Sequence, residues 1–145
     1  MSKFKRVVIC SSMKHAKKII EWKKKLESQG FEVETPLMYS KYNGDFHAIR
    51  DVEGNLEEFE RYKRIATKKH FQKIKESDIL LVLNYDKNGI KNYIGGNTFA
   101  EIAYAYGLNI CHNKNIEIYT VNPLPEDLPY SEELKAWKIR QWEGE

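Results

Sequence analysis

The chain has few cysteines, no long apolar run, no marked excess of either charge, and neither of the common phosphate-loop signatures. Each absence removes a class of function. Two cysteines, Cys10 and Cys111, lie in or near apolar stretches without a CxxC or other metal-type spacing. That excludes a disulfide scaffold and fits a reducing, cytoplasmic setting. No segment approaches the roughly 18 apolar residues of a membrane span. Val7–Cys10, which follows the amino-terminal Met1–Arg6, is too short for the core of a signal peptide. With 24 basic and 21 acidic residues the net charge is only +3, which gives no reason to expect nucleic acid as a partner. Lys14, Lys17, Lys18, Lys23, Lys24 and Lys25 form a basic stripe best read as a solvated helix face, with Lys14 set apart by its place in a turn. The sequence lacks both GxxxxGK[ST] and GxGxxG, so neither a Walker loop nor a dinucleotide-binding turn is present.

What is present is an alternation of short apolar runs and amphipathic stretches in a chain of 145 residues, enough for one domain with one sizeable core. Arg6–Cys10 reads as a buried strand. Met13–Gln29 reads as a helix, capped by Ser11 or Ser12, stopped by Gly30, and turning Ala16, Ile19, Ile20, Trp22 and Leu26 inward. Phe31–Thr35 is a second strand. The irregular segment from Pro36 to Asn55 suits a loop or lid, in which Tyr39, Tyr42 and Phe46 offer a stacking wall for a base or simply pack the loop. Leu56–Glu76 follows as a helix and Asp78–Asn84 as a strand, whose unbroken apolar run predicts cover on both faces. Asn97–Gly107 is the next helix and Asn115–Val121 the next strand. A short helix over Ser131–Lys135 and a strand or tail over Trp137–Trp142 complete the chain. Strands alternating with helices predict a three-layer α/β domain over residues 1–145, flavodoxin-like or Rossmann-like, with about five parallel strands in the order 2-1-3-4-5.

Ligands of such sheets sit beyond the carboxyl ends of the strands, where the strand order reverses. That brings the turn Cys10–Lys14 and the loop Tyr85–Thr98 to one place. Glu101 follows the Gly95–Gly96 pair and is expected in or near the first turn of its helix. There the macrodipole would favour an ionised, reactive carboxylate, or simply a stable helix start. Ser11, Ser12 and Lys14 offer hydroxyls and an ammonium beside free backbone N–H groups, which serves either an anion seat or ordinary capping. His70 reads as structural or catalytic. Asp78 lies at the wrong end of its strand for the site. Asp86, Asn88, Asn92 and Tyr93 lie at the correct end, with nothing to choose among them as contacts for a base or sugar. Tyr104 and Tyr106 serve either the core or a helix–helix contact.

Three motifs in order, VICSSMK, HFQKIKESDILLVLN and NYIGGNTFAEIAYAYG, resemble the nucleoside 2-deoxyribosyltransferase-like superfamily. The chain is most similar there to the deoxynucleoside 5′-monophosphate N-glycosidases and their uncharacterised relatives. The resemblance spans roughly Arg6 to Pro125. It implies cleavage or transfer at an N-glycosidic bond of a nucleoside or nucleotide, with Glu101 as nucleophile. It also implies a 5′-phosphate held by Ser12 and Lys14, with Ser11 where the family has glycine. The binding set is completed by Ser11, Asp86, Gly95, Gly96 and Asn97, without metal or redox cofactor. Homodimers or higher homo-oligomers are usual in the family, and Tyr104 and Tyr106 suit such a contact. A second family acid stands eight residues before the aspartate that opens the third strand, and here that position is His70. Its ordinary pKa of about 6.5 suits proton donation to a departing base. The competing expectations are a non-catalytic nucleotide-binding module and an interaction protein with a vestigial pocket.

Overall fold

The computed structural model describes residues 4–37, 50 and 54–144. The stacking wall read from Tyr39, Tyr42 and Phe46 lies outside them. Among the described residues there are five strands: β1 Arg6–Cys10, β2 Glu32–Glu34, β3 Ile79–Val82, β4 Glu117–Thr120 and β5 Arg140–Gln141. They form one sheet in the order β2-β1-β3-β4-β5 with every pairing parallel, as the alternation predicts. The helices are α1 Ala16–Ser28, α2 Leu56–Lys75, α3 Gly96–His112 and α4 Ser131–Ala136, with a 3₁₀ turn at Met13–His15 ahead of α1.

Strand side chains alternate across the sheet, and so divide the core in two. Val7, Ile9, Ile79 and Leu81 meet Met13, Ile19 and Leu26 on the α1 side. Val8, Cys10, Leu80 and Val82 meet Ile74 of α2 together with Ile102, Ala105 and Leu108 of α3. β3 is buried at every position, which is why its sequence shows no polar alternation. Ile20 departs from expectation: it is exposed, because the buried stripe of α1 runs through Ile19 and Leu26.

Local chemistry sets the ends of the elements. Gly30, at φ +96°, closes α1, with its N–H bonded to the Glu27 carbonyl and that of Phe31 bonded to the Leu26 carbonyl. Asn55 caps α2 by accepting from the Glu58 N–H at 2.9 Å. Asp78 accepts from the Arg6 N–H at 2.8 Å, so it ties β1 to β3 at the amino ends, far from the site. α3 overruns its expected stop at Gly107 and continues to His112. Leu108 buries itself in the core, Asn109 clamps both backbone groups of Ile116 at 2.8 Å, and Asn113 supplies the left-handed residue instead (φ 58°). Among the described residues no helix is long and apolar enough to cross a membrane.

Candidate active site

The register ends β1, β3 and β4 level with one another at Cys10, Val82 and Thr120. Beyond Cys10 and Val82 the chain passes into the two loops that meet at the reversal of strand order. A cavity of about 240 Å³ opens there. Its walls come from three loops and two helices. Ser11, Ser12 and Met13 follow β1, Pro36 and Leu37 follow β2, and Lys87 and Tyr93 follow β3. The two helices supply the rest: Lys63, Ala66, Thr67 and His70 share one face of α2, and Gly96, Asn97, Thr98 and Glu101 line the start of α3. Phe71 and Tyr104, stacked with their centres 4.4 Å apart, lock the two helices together just behind the site. Tyr106 stacks on Trp137 at 4.7 Å, so both tyrosines already pack within the chain.

Glu101 is the sixth residue of α3, whose first turn holds no acid. The helix-start reading is therefore corrected: Glu101 lies a turn inside, only 6% exposed. Burial governs it, pushing its pKa up to about 8, against a hydrogen bond from the Cys10 thiol and the charge of Lys63. His70 is 3% exposed. Burial, aided by the charge of Lys73, pulls its pKa down to about 4, and the Ile9 carbonyl opposes that shift. Its Nε2 lies 3.9 Å from Glu101 Oε2 and 3.3 Å from Cys10 Sγ. Its Nδ1 has no hydrogen-bond partner among the described residues. The Cys10 thiol is pushed well above its ordinary value, by burial first and then by the Glu101 carboxyl. At neutral pH His70 and Glu101 thus line the cavity in uncharged form, with the neutral Cys10 thiol buried beside them.

The cation beside the serine turn is not Lys14. Lys14 is exposed, does not line the cavity, and reaches the turn only through its backbone N–H, 3.2 Å from Ser12 Oγ. Lys87 takes that place: its Nζ donates to Ser12 Oγ at 3.0 Å. A two-residue hairpin delivers it. Lys87 and Ile90 exchange backbone hydrogen bonds, and Asn88 and Gly89 between them both have positive φ (54° and 77°), the geometry that an Asn-Gly pair favours. Asp86 also falls outside the lining. Its carboxylate accepts from the Asn92 N–H at 2.8 Å and braces the base of the loop. Of the glycine pair, Gly95 is the tighter position, since a Cβ there would meet the Tyr93 ring at 3.3 Å, whereas one at Gly96 would meet nothing within 4 Å.

The structure brings together Glu101, His70, Ser11, Ser12, Gly95, Gly96 and Asn97, and leaves Lys14 and Asp86 outside. Three side chains in or beside the cavity escape the sequence reading. Lys87 was signalled by the Asn-Gly pair after it, Cys10 by its place as the last residue of β1 on the α2 and α3 face, and Lys63 by its position seven residues before His70 on one helical face. No protein-family model matches the sequence, and no curated protein matches it.

Proposed function

We propose that this chain cleaves or transfers the N-glycosidic bond of a nucleoside, preferably a 2′-deoxynucleoside, or of its 5′-monophosphate, through a covalent glycosyl-Glu101 intermediate. The observation that carries the reading is convergence. A buried carboxyl and an imidazole 3.9 Å apart face a cavity whose rim carries Ser11, Ser12, Lys63 and Lys87. The floor groups suit glycosyl chemistry, and the rim suits an anionic substituent on the sugar.

The proton inventory fits a two-step displacement. Glu101 must be ionised to attack, and His70 must carry a proton to give to the base. Moving one proton from the carboxyl to the imidazole makes both reactive forms without changing the net charge of the buried floor. The Cys10 thiol, 3.3 Å from Nε2 and within 4.8 Å of the Glu101 carboxylate, lies on that path. A Glu101 oxygen then bonds to C1′ as the C1′–N bond breaks, and the bonding pair leaves with the base, which takes the proton from His70. In the second step water attacks C1′ while neutral His70 accepts a proton from it, and the Glu101 carboxylate departs. A second base in place of water gives transfer. The same reading carries a cytoplasmic setting and a homo-oligomeric assembly.

The protonated state of free Glu101 favours one other reading, a nucleotide-binding module that performs no chemistry. Incubation with a panel of deoxynucleosides and their 5′-monophosphates, followed by chromatography for free base, separates the two. Base release that falls at least about a thousandfold in Glu101→Gln is expected. Tight binding without release supports the module, and release that survives Glu101→Gln removes the nucleophile assignment.

A further inference from the structure

We propose that Cys10, His70 and Glu101 form a binding site for a borderline-soft divalent metal ion, zinc(II) above all. The three ligand atoms lie within 4.8 Å of one another, with Sγ to Nε2 at 3.3 Å and Nε2 to Oε2 at 3.9 Å. A tetrahedral zinc ion with ordinary Zn–S, Zn–N and Zn–O lengths holds such atoms about 3.3 to 3.6 Å apart. The Sγ–Nε2 separation already fits, and a modest torsion of the Glu101 side chain closes the remainder. Each ligand comes from a different element, β1, α2 or α3, and all three elements are fixed by the core that they share. The site is therefore assembled by the fold and not by a local loop.

Charge supports the same assignment. A thiolate and a carboxylate offset the two positive charges of the ion, and the imidazole adds a neutral donor. The filled site is then neutral overall, as a buried site must be to avoid a large desolvation cost. The thiol proton and the proton that the buried Glu101 carboxyl carries at neutral pH both pass to solvent on coordination. One sulfur, one nitrogen and one oxygen donor select against magnesium and calcium, which take oxygen ligands, and favour zinc or cobalt. Three protein ligands leave a coordination position for water or a ligand, and the cavity lies on that side, since His70 and Glu101 both line it. A metal ion and a glycosyl group compete for the same Glu101 carboxylate, so zinc would silence the glycosidase. That consequence rests on the function proposed above; the metal site itself does not.

The test uses the whole protein with Cys111→Ala, which removes the other, exposed thiol, after treatment with chelator. Titration with cobalt(II) is expected to give a thiolate-to-cobalt charge-transfer band that saturates at one ion per chain and disappears when zinc is added. Cys10→Ser should abolish the band and weaken zinc binding by about a hundredfold or more, with smaller losses in His70→Gln and Glu101→Gln. Circular dichroism identifies any variant that has lost its fold, for which Cys10→Ala is substituted. A band that persists in Cys10→Ser, or no band at one equivalent, overturns the site. Base release lost in step with bound zinc supports both proposals. Zinc binding by a protein that releases no base when metal-free supports the metal site and overturns the glycosidase.

Discussion

At pH 7 the Glu101 carboxyl, its pKa pushed up to about 8, carries a proton, and His70, pulled down to about 4, does not. These shifts have opposite effects on stability. Glu101 binds its proton more tightly in the folded chain, so its contribution is fully present below its unfolded value of 4.5 and is lost as pH rises towards 8. His70 binds its proton less tightly in the folded chain, so stability is lost as pH falls from 6.5 towards 4. Between 4.5 and 6.5 the two slopes oppose one another. Above 6.5 only the Glu101 slope acts, and the metal-free protein should lose about 2 kcal/mol by pH 8. Denaturant unfolding across that range, with chelator present, measures the loss, and Glu101→Gln should flatten it. The place of Glu101 at the cavity was legible from the glycine pair ahead of it. Its electrostatics were not, because desolvation depends on what α2 and β1 lay over it.

The elements around the cavity show which parts of a site a linear reading captures. The serine turn and the start of α3 follow directly from strand ends and helix starts, and both line the cavity. The basic partner does not follow, because nearness in sequence favoured Lys14. A two-residue turn can return a side chain across a distance that sequence spacing does not reveal, and the Asn88–Gly89 hairpin returns Lys87 to Ser12. Lys87→Ala is accordingly expected to raise the KM for a 5′-monophosphate about tenfold or more while leaving that for the free nucleoside nearly unchanged, and Lys14→Ala should alter neither. Steady-state kinetics on the paired substrates checks this, and equal losses on both would remove the phosphate from the Lys87 rim. The length of α3 was misjudged for a related reason. Gly107 reads locally as a stop, but the burial of Leu108 and the Asn109 clamp on Ile116 stabilise the helix beyond it.

At the scale of the whole molecule the strand order was the most legible property. Unbroken apolar strands separated by amphipathic helices have few ways to bury both faces, and right-handed parallel crossovers narrow these further. That order alone set the serine turn beside the β3–α3 loop. Contacts made across the sheet were hidden. Asn84, fully buried, exchanges hydrogen bonds with Asn122 and donates to the Pro123 carbonyl, and so pins the loop after β3 to the loop after β4. Cys10 meets His70 over sixty positions of sequence. The proposed chemistry needs these remote pieces together: the carboxyl on α3, the imidazole on α2, and the turn after β1. The most direct measurement is to trap the intermediate. A nucleoside bearing 2′-fluorine in the arabino configuration slows release of the sugar from the enzyme, because the fluorine disfavours an oxocarbenium-like transition state. Incubation with such a compound should add the mass of one fluorinated sugar to the intact protein, on a peptide that maps to Glu101. Base release from ordinary substrates with no adduct, or an adduct on any other residue, would contradict the assignment.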